Sequence, residues 1–124
     1  MKLVWRRPEK MTGRFLTLLE GAAGDCGIYP TITSDYRDPA ANAAASGASM
    51  TSRHLAGEAV DFKIPHVGHG AIVGPLLVAL IRRADAMGCT KELEIELVTS
   101  VKDNHLHIAL DPSQKAPAIF GAAD

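Results

Sequence analysis

The sequence predicts an α+β fold with an antiparallel sheet. Two segments, residues 12–24 and 72–87, carry apolar residues at helical spacing. Three others read as strands, residues 59–64, 92–101 and 105–110. The last two strands follow each other directly and predict a hairpin. The order of helix, strand, helix and hairpin therefore favours the α+β class over a parallel α/β sheet.

The first helix is predicted to begin after Thr12, which is a good N-cap residue, and to end at Gly24. The second covers Ile72–Met87 and ends at a glycine. Because Pro75 fits only the first turn of a helix, regular helical structure is expected to begin near Gly74.

The remaining first half is predicted to be mostly extended or looped. Leu3–Trp5 reads as a short edge strand and Tyr29–Ser34 as a second strand. Ala40–Ala45 favours a short helix. The small, polar segment Ser46–Ser52 predicts a loop.

The second half carries the main strands. In Ala59–Ile64 apolar residues alternate with others, as in a strand with one buried face. Glu92–Val101 and His105–Leu110 follow the long helix, and residues 102–104 supply turn chemistry between them. The tail Pro112–Asp124, with its prolines and small residues, is expected to pack loosely or fray.

The composition indicates one globular domain, residues 1–124, and excludes two classes of function. Of the residues, 47% are hydrophobic and 22% charged, which is typical of a folded chain. The net charge of −1 offers no basic field for nucleic acid. No apolar run approaches the ~18 residues that cross a bilayer, so we expect no membrane insertion. The two cysteines, Cys26 and Cys89, are expected to be free, partly buried thiols.

The segment from Ser52 to Asp61 places a histidine and an aspartate seven residues apart. His54 is predicted to lie in a loop, and Gly57 allows the chain to turn so that the imidazole returns beside the carboxylate. Asp61 faces away from Val60 in its strand. A carboxylate in mid-strand is disfavoured. Asp61 therefore either balances a cation or lies on a solvent face, and this segment alone leaves both open.

A histidine pair in the last predicted strand adds to this segment. His105 and His107 lie on one face of the strand, with their Cα atoms ~7 Å apart. The pair is typical of metal sites and also compatible with an ordinary surface. With His54 and Asp61 it supplies the three nitrogen and oxygen ligands of a catalytic zinc site and one spare imidazole. Two more histidines, in a glycine-containing loop, are expected to be exposed and are candidates for lining a cleft: His66 and His69.

The string SRHLAGEAVD at residues 52–61, followed by HLH at residues 105–107, resembles a known group. It is similar to the zinc D-alanyl-D-alanine peptidases and related phage cell-wall peptidases, which share their metal site with lysostaphin-type enzymes and the hedgehog signalling domain. The resemblance extends upstream over TSDYRDP at residues 33–39, Asn42 and Gly47. It implies a hedgehog/D,D-peptidase-like fold, with helices packed on one side of an antiparallel sheet.

The resemblance also implies roles for individual residues. His54, Asp61 and His107 correspond to the three zinc ligands, although this ligand set would accept other divalent ions. Arg37 corresponds to an arginine that faces the scissile peptide and supports the developing oxyanion. It is therefore a catalytic and substrate-binding candidate, where the residue alone would read as a surface arginine. Ser52 corresponds to a site-lining serine that helps fix the first ligand, and is a substrate-binding candidate.

The sequence departs from the family pattern three residues before the last histidine. Many relatives carry a Glu or Asp there as the general base, whereas this chain has Asn104. His105 is the first substitute for that base because it shares a strand face with His107, and relatives with a His-x-His pair use their first histidine similarly.

Two acids on the partner strand, Glu94 and Glu96, are the next candidates for the base. A two-residue turn at positions 103–104 would set Ser100 opposite His107 and Glu96 roughly 13 Å further along. A different turn would change this register. Asp103, expected at the turn tip, is the last candidate.

The resemblance implies a zinc metallopeptidase that cuts peptidoglycan stem peptides, at a D-Ala bond or at an L-Ala–D-Glu bond. Residues 1–7 lack the pattern of a secretory signal, so we expect synthesis in the cytoplasm. Such an enzyme would reach the wall after release by a partner membrane protein, as a phage or prophage endolysin, or act from the virion. We expect a monomer. The alternative is a non-catalytic metal-binding or phage structural domain on the same fold.

Overall fold

A five-stranded sheet and three α-helices make up the computed structural model, which describes residues 2–44, 52–100 and 103–123. The helices are α1 Gly13–Cys26, α2 Pro39–Ala44 and α3 Gly70–Met87. The strands are β1 Ile32–Ser34, β2 Ala59–Lys63, β3 Leu93–Thr99, β4 Asn104–Leu110 and β5 Ala118–Ala123. Single 3₁₀ turns occur at Pro8–Lys10 and Thr90–Glu92.

The strand order across the sheet is β1-β2-β4-β3-β5. Neighbouring strands are antiparallel from β1 to β3, whereas β5 runs parallel to β3. The predicted α+β class is confirmed, and the final parallel pair makes the sheet mixed. None of the helices in the described ranges is long and apolar enough to cross a membrane.

One hydrophobic core lies between the sheet and helices α1 and α3. Alternation along each central strand turns every second side chain toward these helices, and each fully buried large apolar side chain stabilises the fold by about 1.5–3 kcal/mol. Fully buried members include Phe15, Leu18, Leu76, Leu80, Val60, Phe62, Leu106 and Ile108. The opposite sheet face is therefore free to carry polar side chains.

Helix α1 begins as predicted and ends later than predicted. The hydroxyl of Thr12 accepts a hydrogen bond from the backbone N–H of Phe15, which confirms the N-cap. The helix continues past Gly24 and stops at Gly27, whose φ of 68° forms a left-handed cap. Gly24 costs the helix about 1 kcal/mol relative to alanine. The packing of the preceding turns on the core outweighs that preference.

Helix α3 begins at Gly70, so the predicted start near Gly74 is wrong. Pro75 lies inside the helix, where it cannot donate to the carbonyl of Ala71. Both Pro75 and Ala71 are exposed, and water can satisfy this carbonyl. The missing hydrogen bond is therefore tolerated on the outer surface.

The predicted edge strand at Leu3–Trp5 is wrong. This segment has no ladder partner, because side chains take its backbone hydrogen bonds. The N–H of Leu3 donates to Glu20, and the N–H groups of Arg6 and Arg7 donate to the Asp35 carboxylate. The predicted strand at 29–34 is shortened to β1.

The predicted loose tail is also wrong, since β5 adds a strand to the free edge of β3. The backbone hydrogen bonds between β5 and β3 fix this segment on the sheet, although its sequence has no strong apolar pattern. The predicted short helix at residues 40–45 is α2. Several predicted features lie outside the described residues: Ala45, the loop over residues 46–51 with Gly47, Val101, Lys102 and Asp124.

Candidate metal centre

Two neighbouring strands and the turn before them bring three polar side chains together. Asp61 on β2 is directly opposite His107 on β4, and His54 precedes β2 in a turn. One ligand atom from each of the three lies within 4.8 Å of the others. This is the histidine, aspartate and histidine set that the sequence predicts as metal ligands. Their role as ligands stays a prediction.

His54 is held in one orientation by the backbone. The residue is 3% exposed, and Nδ1 of its ring lies 2.6 Å from the carbonyl oxygen of Asp35. A carbonyl oxygen only accepts, so Nδ1 carries the proton and donates. In the neutral ring Nε2 then presents its lone pair, 3.4 Å from Oδ2 of Asp61. Metal-bound histidines usually donate their second ring nitrogen in this way.

Asp61 is the most strongly paired group of the centre. Its Oδ1 lies 2.8 Å from Nδ1 of His107, and Oδ2 accepts from Nη2 of Arg37 at 3.3 Å. Burial of the side chain opposes its charge, but the hydrogen bond from His107 and the proximity of both imidazoles outweigh burial and lower the pKa of the carboxyl. Asp61 is therefore a stable anion at neutral pH.

His107 lies between two carboxylates. Beyond the contact with Asp61, its Nε2 is 3.5 Å from Oε1 of Glu94. Burial disfavours the charged ring, but the hydrogen bonds and charges of Asp61 and Glu94 prevail and raise the pKa of His107 to about 9. A metal ion at this ring would have to displace a proton. Glu94 is placed to accept from the nitrogen that a metal does not use.

The donor set fits a divalent cation. The lone pair of His54 Nε2 and the Asp61 carboxylate face each other, and two electron-rich atoms at this distance need a positive charge between them. Two imidazoles and one carboxylate match the ligand types and number of catalytic zinc sites, and other divalent ions share this preference.

Arg37 and Ser52 both contact residues of the centre. Besides its contact with Asp61, Arg37 donates from Nε to Oγ of Ser34 and from its backbone N–H to the carbonyl of His54. The hydroxyl of Ser52 accepts from the backbone N–H of His54 at 3.3 Å. Ser52 is thus placed to fix the turn that carries the first predicted ligand. The predicted substrate contacts stay predictions.

The hairpin register differs from the two-residue turn considered from the sequence. Thr99 pairs with Asn104, so four residues form the connection, and Glu96 instead of Ser100 lies opposite His107. The reason is the turn itself, in which Ser100 hydrogen-bonds the Asp103 carbonyl and the Asn104 side chain.

The residues considered for the general base, and Asn104 beside them, differ in the contacts that they make. His105 lies on the same strand face as His107, and its Nδ1 is 3.0 Å from Oδ2 of Asp103. Asn104 is buried and donates to the Pro65 carbonyl, so it has a structural role in the hairpin. Asp103 is at the turn, as expected, and contacts His105 instead of the metal cluster.

The remaining predicted polar residues lie elsewhere. His66 is exposed, as predicted, whereas His69 is partly buried at the N-terminus of α3. Cys26 and Cys89 are free thiols, one partly and one fully buried, which confirms the prediction.

Gly57 allows the turn between His54 and β2. Its φ is 70°, and a Cβ atom there would overlap the carbonyl oxygen of Lys10. The Gly57 carbonyl also accepts from the N–H of Thr12. The turn is therefore packed directly against the start of α1.

Gly57→Ala is expected to lower the free energy of unfolding by about 1–3 kcal/mol from backbone strain, with a further cost from the overlap. Urea unfolding followed by circular dichroism measures this. Gly13→Ala is the matched control, because no atom from a more distant part of the described chain lies within 4 Å of its Cβ position. Equal stability of the two variants would contradict this account of the turn.

A buried ion network that the sequence did not predict stabilises the same turn. Glu58 is 5% exposed and accepts hydrogen bonds from Arg14, Arg53 and Thr12 at 2.6–2.9 Å. Arg14 also pairs with Glu92. The only sequence signal is an acid inside the motif, and nothing local identifies partners that are distant along the chain.

Glu58→Gln is expected to lower the free energy of unfolding at pH 7 by about 1–3 kcal/mol, because hydrogen bonds to charged partners weaken. Burial opposes the charge of Glu58, but Arg14, Thr12 and Arg53 lower its pKa below the ordinary 4.5. Its contribution is therefore present above pH 4.5 and is lost as the pH falls through the lowered value.

Chemical denaturation at pH 7 and in steps below pH 4.5 tests this pH dependence. The two proteins should converge in stability as Glu58 becomes protonated. Glu9→Gln, at an exposed ion pair, should leave stability nearly unchanged. A difference that stays constant into acid would refute the role of the Glu58 charge.

A histidine, aspartate and histidine cluster on the sheet face opposite α1 and α3 defines a candidate metalloenzyme. A model of the peptidase M15 family matches residues 14–109, more than three quarters of the sequence. The chain belongs to the peptidase M15 family, a family of metal-dependent peptidases. This confirms the resemblance to the zinc D-alanyl-D-alanine peptidases and the hedgehog/D,D-peptidase-like fold. No curated protein and no solved structure matches the chain.

Proposed function

We propose that the protein is a zinc-dependent peptidase that hydrolyses peptide bonds in bacterial peptidoglycan stem peptides. The observation that carries this proposal is the cluster of His54, Asp61 and His107, with ligand atoms within 4.8 Å of one another, in a chain of the peptidase M15 family. The three residues would hold the ion. When bound, zinc supplies Lewis-acid activation of a water and of the scissile carbonyl.

The surrounding residues would orient the centre and stabilise charge. The Asp35 carbonyl fixes the ring of His54, and the Glu94 carboxylate is available to the free nitrogen of His107. Arg37 is close enough to Asp61 to reach a substrate carbonyl at the centre and offset the negative charge that develops there. Ser52 holds the His54 turn and is the second proposed substrate contact.

His105 is the proposed general base. It lies two residues from His107 on the same strand face, and its contact with Asp103 would orient the ring. The ring would take a proton from the attacking water and return it to the leaving amine. Glu96, opposite His107, and Glu94 are the alternatives.

His105→Ala is expected to keep one bound metal per chain and to lower turnover by about 10²- to 10⁴-fold. Peptide release from peptidoglycan, together with metal analysis of the same sample, measures both. Full activity in this variant would transfer the role of base to Glu96 or Glu94.

The biological setting is a further part of the proposal. A catalytic domain of this kind suits a phage or prophage endolysin that reaches the wall through a partner membrane protein, or a lysin carried by the virion. The second candidate function is a metal-binding domain without catalysis. The buried, structural Asn104 at the position where many relatives have an acid favours that candidate.

Digestion of purified peptidoglycan, with and without a chelator, tests the proposed function. Products identified by mass spectrometry would reveal whether a D-Ala bond or an L-Ala–D-Glu bond is cut. Chelator-sensitive release that zinc restores supports the peptidase. Bound zinc without any release would favour the non-catalytic alternative.

A further inference from the structure

A row of residues paired across neighbouring strands crosses the sheet, on the same sheet face as the candidate metal centre. Ser34 pairs with Asp61, Asp61 with His107, His107 with Glu96, and Glu96 with Phe120. Residues paired across neighbouring strands point to the same face of a sheet. The row therefore extends from the β1 edge, through the candidate ligands, to the β5 edge.

Phe120 is a large apolar side chain at the far end of this row and is 48% exposed. Two strand spacings separate it from His107, which is ~10 Å. It does not pack against the hydrophobic core in the described ranges of the chain. The family match ends at residue 109, before β5. The core and the family match therefore leave this aromatic ring unexplained.

Glu96 lies between His107 and Phe120. It is partly buried, and its carboxylate has no hydrogen bond or ion pair among residues 2–44, 52–100 and 103–123. The neighbouring acid Glu94, by contrast, contacts His107. An unpaired carboxylate one strand spacing from an aromatic ring offers both groups that attract an ammonium ion: a negative charge and an aromatic face.

We infer that Glu96 and Phe120 form a substrate subsite beside the metal centre that binds a primary ammonium group of the peptide. This inference rests on the proposed peptidase function. An ammonium group between the two side chains would donate hydrogen bonds to the Glu96 carboxylate on one side. On the other side it would lie against the face of the Phe120 ring. The subsite would favour peptides that carry a free amine between one and two strand spacings from the scissile bond, or ~5–10 Å.

Two synthetic stem peptides test the subsite. Both have an acetylated N-terminus and the sequence L-Ala, γ-D-Glu, L-Lys, D-Ala, D-Ala; one has a free lysine amine and the other an Nε-acetyl group. Acetylation removes the charge. The zinc-loaded wild-type protein should show a KM about 3- to 10-fold lower for the free amine, with similar kcat.

Glu96→Gln and Phe120→Ala should each remove most of this preference while leaving the zinc content unchanged. Ile119→Ala is the matched control, because Ile119 is 49% exposed on the same strand and pairs with Ile95 on the opposite face. It should retain the preference. Calorimetric binding of both peptides to the metal-free protein gives the same comparison without turnover.

Two outcomes would overturn the subsite. One is that the wild-type protein binds the two peptides equally or binds neither. The other is that the preference for the free amine survives in both Glu96→Gln and Phe120→Ala. A loss of kcat at unchanged KM in Glu96→Gln would make Glu96 the base instead. Binding with amine preference but no cleavage by the zinc-loaded protein would refute the peptidase function and leave the subsite standing.

Discussion

Replacing His107 by alanine is expected to abolish binding of the divalent metal and, with it, peptidase activity. His107 is one of the three proposed ligands, and its ring contacts both Asp61 and Glu94. The loss should exceed the ~10- to 100-fold in metal affinity that follows removal of an outer-shell partner. Metal content after dialysis against zinc, and peptide release in the same preparation, measure the effect.

The matched control for His107→Ala is His66→Ala, which removes an exposed imidazole away from the cluster. It should retain one zinc ion and full activity. Circular dichroism of both variants verifies that the fold is kept. One zinc ion per chain in His107→Ala, at wild-type affinity, would exclude His107 as the third ligand.

Arg37→Ala is expected to lower turnover by about 10²- to 10³-fold while the metal stays bound, since a positioned donor for a developing oxyanion contributes on that scale. In the structure the Arg37 guanidinium lies 3.3 Å from Oδ2 of Asp61. Removing its positive charge beside the metal centre should leave metal affinity unchanged or increase it. Steady-state kinetics on peptidoglycan fragments and zinc titration separate the two effects.

Arg82→Ala is the control for Arg37→Ala, because Arg82 is an exposed arginine on α3. It should have wild-type kinetics. Near-normal turnover in Arg37→Ala would assign this arginine to the structural support of Asp61 and Ser34 alone. Loss of zinc from this variant would point to the same conclusion.

Local patterns predicted the elements that carry the candidate centre. Alternation in β2 and β4 was sufficient to place Asp61 away from the core and both His105 and His107 on one face. Gly57 predicted the turn that returns His54 to the carboxylate. These predictions succeeded because strand alternation and positive φ angles are properties of a few adjacent residues.

Helix ends and edge strands were less predictable. Helix α1 continued past Gly24 because its apolar face packs on the core, and α3 accommodates Pro75 on its exposed side. The segment around Leu3 gave its backbone hydrogen bonds to side chains instead of a sheet partner. In each case a contact with another part of the fold outweighed the local preference.

The class of fold followed from short-range periodicity, whereas the choice of the three candidate ligands and the role of Arg37 came from the resemblance of sequence motifs to a known peptidase family. Only the tertiary structure determined that Glu96 faces His107, since hairpin register depends on how the connecting loop folds. It also paired Glu58 with Arg14 and placed Phe120 on β5 opposite Glu96, in line with the candidate metal centre. These contacts join residues far apart in the chain, and no local pattern encodes which distant groups folding will bring together.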